Sequence, residues 1–196
     1  MSWKAICLYA FGKEEKAIFE FERCLRIDPK NGPNLRTLGT ILINRGSYLE
    51  GAEKLIEALK YLPPSDRSVP DAYAYAGYAY SKLDRLDEAI SFYRKAINSW
   101  VKDGDFNKVD LIYNLGRIYL QKRSYSEAVE VFESGIALGN KEARMHFGLG
   151  IAYFELGQEE DCLRHLGIAL ELAPTLKEDE TMKHIYKVLG HQISVH

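Results

Sequence analysis

The residues of this chain that could do chemistry are few and poorly placed for it. Cys7, Cys24 and Cys162 are odd in number and lack metal-like spacing, so neither a disulfide framework nor a thiolate metal site is expected. His184 and His191 are seven residues apart and could share a helix face, but no carboxylate or Cys completes a ligand set. The signatures of phosphate-binding loops (GxxxxGKS or GxxxxGKT), dinucleotide sites (GxGxxG after a strand), zinc proteases (HExxH), redox pairs (CxxC) and hydrolase elbows (GxSxG) do not occur. The sequence therefore assigns no catalytic residue, no metal and no cofactor, and the expectation is a protein that is not an enzyme. The run Lys177-Glu178-Asp179-Glu180 reads as the negative first turn of a helix, where acidic groups favour the dipole. The stretch AYAYAGYAY (72–80) divides by helical spacing into core (Tyr73, Tyr80) and surface (Tyr75, Tyr78), a simpler account than a cofactor box.

Composition narrows the remaining classes. The 196 residues are 46% hydrophobic with a formal charge of −2, enough for a substantial core and no footprint for nucleic acid or an anionic membrane. No apolar run approaches the roughly 18 residues that a membrane-spanning helix needs. The opening MSWKAICLYAFGKEEK has a Lys inside its apolar part and no secretory cleavage site, so it reads as a helix; a cytoplasmic location is the expectation.

What could position functional groups is a repeated helical element, seen most clearly in Tyr73–Ala96. Tyr73, Ala76, Gly77 and Tyr80 share one face, Ala89, Tyr93 and Ala96 another, and a short polar turn lies between them, which is the pattern of an antiparallel helix pair. Gly77 inside a helix costs about 1 kcal/mol against Ala, and marks a place where another helix passes too close for a side chain. Gly39, Gly77, Gly116 and Gly150 recur at separations of 38, 39 and 34, each followed three residues later by Leu42, Tyr80, Tyr119 or Tyr153. A period of this size signals a helical repeat array.

These residues resemble the tetratricopeptide repeat, whose 34-residue unit wants large side chains at positions 4, 7, 11 and 24, small ones at 8, 20 and 27, and Pro at 32. The third unit supplies Tyr73, Ala76, Tyr80 and Tyr93 with Gly77, Ala89 and Ala96, and Val101 in place of Pro. The fourth has Ile112, Leu115, Tyr119 and Phe132 with Gly116, Ala128 and Gly135. The fifth has His146, Leu149, Tyr153 and Leu166 with Gly150, Cys162, Ala169 and Pro174. The second has Leu35, Leu38, Leu42 and Leu55 with Gly39, Gly51, Ala58 and Pro63. The first fits less well: Leu8, Phe21, Ala5, Ala17, Cys24 and Pro29 match, but Met1 and Lys4 hold the other large positions. Cys24 and Cys162 fall on small-residue positions, which reads as buried, reduced thiols.

The resemblance implies an all-α, right-handed α-solenoid of about five helix-turn-helix units at about 1–31, 32–65, 70–103, 109–142 and 143–174, with a C-terminal capping helix and tail at 175–196. Gly12, Gly46 and Gly157 suit the left-handed position after helix A. Helix B of the first unit runs from about Glu14 to Ile27 and stops at Asp28-Pro29-Lys30-Asn31-Gly32-Pro33. Ser68 with Asp71 reads as a capping box. Extra residues around Trp100 to Lys108, with a turn at Asp103-Gly104-Asp105, predict a helix B in unit three that is one turn longer than usual. Met182, Ile185, Tyr186 and Leu189 follow i, i+3, i+4, i+7, the inner face of a cap. The N-terminal repeat has no such cover, which leaves truncation, a contact site or a bare end open.

In the family, helix A of each unit lines a concave groove. The matching positions here are Ile6 and Tyr9; Arg36, Thr40, Ile43 and Asn44; Ala74, Tyr78 and Lys82; Tyr113, Arg117, Leu120 and Gln121; and Arg144, Phe147, Ile151 and Phe154. The groove set assigned to partner binding is Arg36, Asn44, Tyr78, Lys82, Tyr113, Arg117, Arg144, Phe147 and Phe154, within which Tyr78, Tyr113, Arg117 and Phe147 are expected to form one patch. Aromatic and Arg side chains beyond the core stripe exceed what folding needs and suit a bound peptide or helix. The clamp by which some family members grip a chaperone's terminal carboxylate is not matched: the corresponding positions hold Ser2, Ile6, Thr37, Asp71 and Tyr75, or one repeat later Arg36, Thr40, Tyr75, Asp110 and Asn114. The implied function is a non-catalytic scaffold or adaptor for another protein. The alternative is a self-associating assembly or regulatory module, with the uncapped N-terminal repeat as a contact. RNA binding is disfavoured because Arg36, Lys82, Arg117 and Arg144 are offset by Asp71, Asp110 and Glu155.

Overall fold

A computed structural model describes residues 2–100, 106–139 and 142–191. Those residues form eleven α-helices and one short 3-10 helix, with no strand among them. They divide into two compact units, Met1–Asn107 and Lys108–His196. The first holds α1 (Trp3–Ala10), α2 (Glu14–Ile27), α3 (Gly32–Asn44), α4 (Tyr48–Leu59), α5 (Val69–Lys82) and α6 (Leu86–Asn98). The second holds α7 (Lys108–Gln121), α8 (Tyr125–Ala137), α9 (Ala143–Glu155), α10 (Glu159–Leu172), a 3-10 turn (Pro174–Glu178) and α11 (Glu180–Val188). Odd-numbered helices from α1 to α9 are the A helices, and each packs on the B helix that follows it.

Every A helix ends in the same way. The residue two beyond it has a positive φ, Gly12 (71°), Gly46 (88°), Asp84 (58°), Arg123 (62°) and Gly157 (72°), and the next backbone N–H returns to a carbonyl in the last turn. Those bonds run from Lys13 to Leu8, Ser47 to Leu42, Arg85 to Tyr80, Ser124 to Tyr119 and Gln158 to Tyr153, at 2.8–2.9 Å. This is a Schellman closure. The acceptor is in each case the main chain of the large residue at repeat position 11, which ties the turn to the residue that packs beneath it.

The pairs are drawn together at glycines. In the second repeat a Cβ on Gly51 would lie 2.7 Å from the Gly39 carbonyl oxygen, so backbone meets backbone. In the second unit the ring of Phe132, fully buried, fills the space at both Gly116 and Gly148, where a Cβ would come within 2.5 Å of it. Gly77 faces Tyr93 and Gly150 faces Leu166 in the same manner. The cores follow: Ala5, Phe21, Leu38, Ile41 and Leu42 under α1–α3, and Leu35, Ala58, Leu62 and Val69 one layer on.

Local details depart from the sequence reading. Ser68 caps nothing with its side chain; its N–H and hydroxyl both donate to Asp66 Oδ1, at 2.9 and 2.6 Å, and this local turn sets up α5 with Pro70 in its first turn. Asp71, buried, accepts instead from the Phe106 N–H. Helix α6 is no longer than its counterparts and ends at Asn98; the Asp103-Gly104-Asp105 turn and Val101 lie outside the described residues. The acidic run is split: Lys177 and Glu178 belong to the 3-10 turn, and Asp179 is the N-cap of α11, accepting from Thr181 and Met182. Met182, Ile185 and Tyr186 are buried on the last repeat, whereas Leu189 is only half-buried. Cys162 is buried, but Cys24 is half-buried and Cys7 exposed, because α1 has no helix over its outer side among the described residues; none is in a disulfide.

Candidate functional site

The residues expected to line a groove fall into three conditions. Ala74 and Ile43 are buried and closed to any ligand, since the small residue at position 5 lets the neighbouring helix pack over α5 and Ile43 seats against Gly51. Others are exposed or half-buried but engaged within the chain. Asn44 donates to the Tyr9 hydroxyl at 3.2 Å. Tyr78, 39% exposed, meets Tyr48 edge-on at 6.1 Å and carries Lys82 over its ring at 5.3 Å. Tyr75 is edge-on to Phe106 at 5.0 Å. Arg36 is half-buried beside the Asp66 carboxylate.

The third group lies on α7 and α9, whose inner sides meet in the second unit. Arg144 forms ion pairs with Asp110 and Glu142 and lies 4.7 Å above the Tyr113 ring. Arg117 approaches the same ring at 5.8 Å, is exposed and makes no ion pair among the described residues. Tyr113 thus lies within reach of two guanidinium groups, one bound by carboxylates and one open to solvent. Three residues after Arg144, α9 continues with Phe147, Ile151 and Phe154 at i, i+4 and i+7, all half-buried; Phe154 meets His184 of α11 edge-on at 6.3 Å. Helix α9 carries only Arg144 and Glu155 as charges in thirteen residues, so it is apolar on more than its core side. Chemically this surface can hold an apolar or aromatic side chain along α9 and an anionic group at Arg117.

Behind it lies a polar cluster in which the 34-residue pattern marks His146 and Tyr153 as large core positions but does not mark His165. His146 on the core side of α9 and His165 on α10 are both 8% exposed, with Nδ1 to Nδ1 2.9 Å apart and the rings stacked at 5.2 Å. Tyr153 stacks on His165 at 5.5 Å and donates its hydroxyl to Glu133 at 3.0 Å. Burial pushes both imidazoles below the usual histidine range, and Arg164 and His146 add to it for His165. Burial likewise drives the Cys162 thiol up to about 11. The available signal was His146 itself: a histidine in a large apolar slot requires a polar partner in the core. Among the described residues no group of three or more His, Cys, Asp or Glu is placed to hold a metal ion, and no helix is long and apolar enough to cross a membrane.

Comparison with known proteins agrees with this architecture. Tetratricopeptide repeat models match residues 3–31 and 69–141. The chain is 26% identical over 165 residues to the BBSome complex member BBS4 of Bos taurus, covering 84% of this chain and 30% of that protein. It is 26% identical over 197 residues to a DnaJ homolog subfamily C member 7 homolog of Schizosaccharomyces pombe, covering 93% of this chain and 39% of that protein. The chain therefore spans well under half the length of either relative. Among solved structures, MamA superposes with a TM-score of 0.77 at 24% identity, over 89% of this chain and 96% of that one. YrrB, described as a TPR protein with an unusual peptide-binding site, gives 0.77 at 17% identity, over 94% and 88%. At these identities the structures speak for the fold alone. With the family models, the repeated Schellman closures and the glycine crossings in agreement, this chain belongs to the tetratricopeptide repeat family.

Proposed function

We propose that the chain is a non-catalytic protein-binding scaffold that holds a peptide or helical segment of another protein on the inner side of its A helices. The observation that carries this reading is the α7–α9 surface, where Phe147, Ile151 and Phe154 run along one face of α9 and α7 presents Tyr113 and the exposed Arg117. Folding needs one apolar stripe per helix, and α9 has more. The peptide-binding description of YrrB and the complex named for BBS4 belong to those proteins; they make a protein partner the natural class here. The test is selection of binding peptides by display on the whole chain, followed by affinity measurement on an Arg117→Ala, Phe147→Ala double variant. Two central anchors predict a loss of about a hundredfold, with helicity retained, while Glu130→Lys on the exposed side of α8 changes little. Binding that survives the first variant and fails with the second would move recognition to the B helices.

A second reading, self-association, is favoured by the first repeat. Trp3 on α1 (74% exposed), Phe11 in the turn after it (80%) and Phe19 on α2 (57%) are open apolar side chains, and a shallow depression between the two helices is lined by Lys4, Leu8, Glu15, Lys16, Phe19 and Glu20. Exposed apolar patches of this kind commonly mark protein contacts. Light scattering over a concentration series, repeated on Trp3→Glu, decides it: a mass that stays monomeric throughout removes the reading.

A further inference from the structure

The His146–His165 pair has no part in the proposed binding surface and no third ligand for a metal among the described residues, yet it joins α9 to α10 at the centre of the fifth repeat. Two imidazoles can share a hydrogen bond between Nδ1 atoms only if one ring donates and the other accepts, so the two must hold opposite tautomers. One added proton turns that bond into a charge-assisted one but leaves an imidazolium buried between helices. A second proton removes the acceptor and sets two cations 2.9 Å apart. The surroundings do little to compensate. Tyr153 presents a neutral ring face to His165, and its hydroxyl proton is already given to Glu133 of α8. On α10, Arg164 opposes a charge on His165, Asp161 and Glu133 favour it, and Arg164 is itself paired with Asp161. Cys162 of α10 faces Tyr186 of α11, neither of which supplies an anion near neutrality. The charged groups that α7 brings to α9, Asp110 and Arg117, are directed at Arg144 and Tyr113 instead.

We propose that His146 and His165 form a proton-sensitive latch that closes α9 on α10 when neutral and loosens the fifth repeat on acidification. The sign follows from linkage. Both rings are held below their unfolded value, so the stabilisation is complete above the unfolded histidine range near pH 6.5 and is lost as pH falls through the folded values. For each ring, every pH unit by which the folded value lies below the unfolded one multiplies the open fraction about tenfold at low pH.

The experiment titrates the whole chain from pH 8 to 5 with histidine ring nitrogens observed by NMR, blocked histidine peptides in the same buffer serving as references. The expected result is one Nδ1–H and one Nε2–H tautomer at His146 and His165, both persisting to lower pH than the references. Amide exchange, corrected for its intrinsic pH dependence, should show α9 and α10 opening at least tenfold more at pH 5 than at pH 7.5, with α7 and α8 changing less. In a His146→Phe, His165→Leu variant that difference should disappear. Two imidazoles that protonate together with the references, or a variant that opens with acid as the wild type does, would overturn the proposal. If the variant fails to fold, the wild-type ring titration alone decides.

Discussion

Two helix crossings, one in the second repeat and one in the second unit, use the glycine at repeat position 8 for different contacts. In the second repeat Gly39 and Gly51 bring main chain to main chain, and a Cβ on either would meet a carbonyl oxygen within 2.8 Å. In the second unit Gly116 and Gly148 open a slot for one ring, and Phe132 fills it from both sides. The small-residue requirement of the repeat is therefore a requirement for space, and whether backbone or side chain occupies that space decides what can relax. A carbonyl within a helix cannot move alone, whereas a ring can be exchanged for a smaller side chain.

The largest expected effect is at the ring. Phe132→Ala should cost about 3–5 kcal/mol in urea unfolding, because the cavity it leaves is bounded by two glycines that offer no side chain to fill it. Gly51→Ala should cost about 1–3 kcal/mol by overpacking, and Ile43→Ala, which removes the Cγ1 that is the nearest side-chain obstacle, should recover little of it in a double-mutant cycle since the Gly39 carbonyl remains. Gly116→Ala should cost a similar amount alone but become nearly free in a Phe132→Leu background, a coupling of about 0.5–3 kcal/mol in a double-mutant cycle. Equal recovery in both units would erase the distinction. The smallest effect is at the turns: Arg123, held at φ 62° where three of the five turns have Gly, should gain about 0.5–1 kcal/mol on Arg123→Gly, read as a rise in melting temperature.

The repeat itself was legible because its signals are periodic and local. Gly12, Gly46 and Gly157 take the left-handed conformation their type suggests, and Met182, Ile185 and Tyr186 are buried as their spacing requires. What escaped was set by contacts between distant parts of the chain. His165 lies beside the position the pattern marks, Leu166, and acquires meaning only when α9 brings His146 to it. Asp71 reads as a helix cap until Phe106, 35 residues on, takes its carboxylate. The candidate binding surface is legible in composition, through the excess of apolar residues on α9. Its charge is not, because sequence cannot say that Arg144 is held by Asp110 and Glu142 while Arg117 is open.

Cys162 gives the fifth repeat a clock. Its thiol is fully enclosed at a small-residue position of α10 and pushed up to about 11, so at neutral pH an alkylating reagent finds neither access nor thiolate, whereas Cys7 on α1 is open to it. Modification of Cys162 then waits for α10 to part from its neighbours. Once reagent outpaces reclosing, the labelling rate measures how often this part of the molecule opens, in seconds or hours, without adding any probe to the chain.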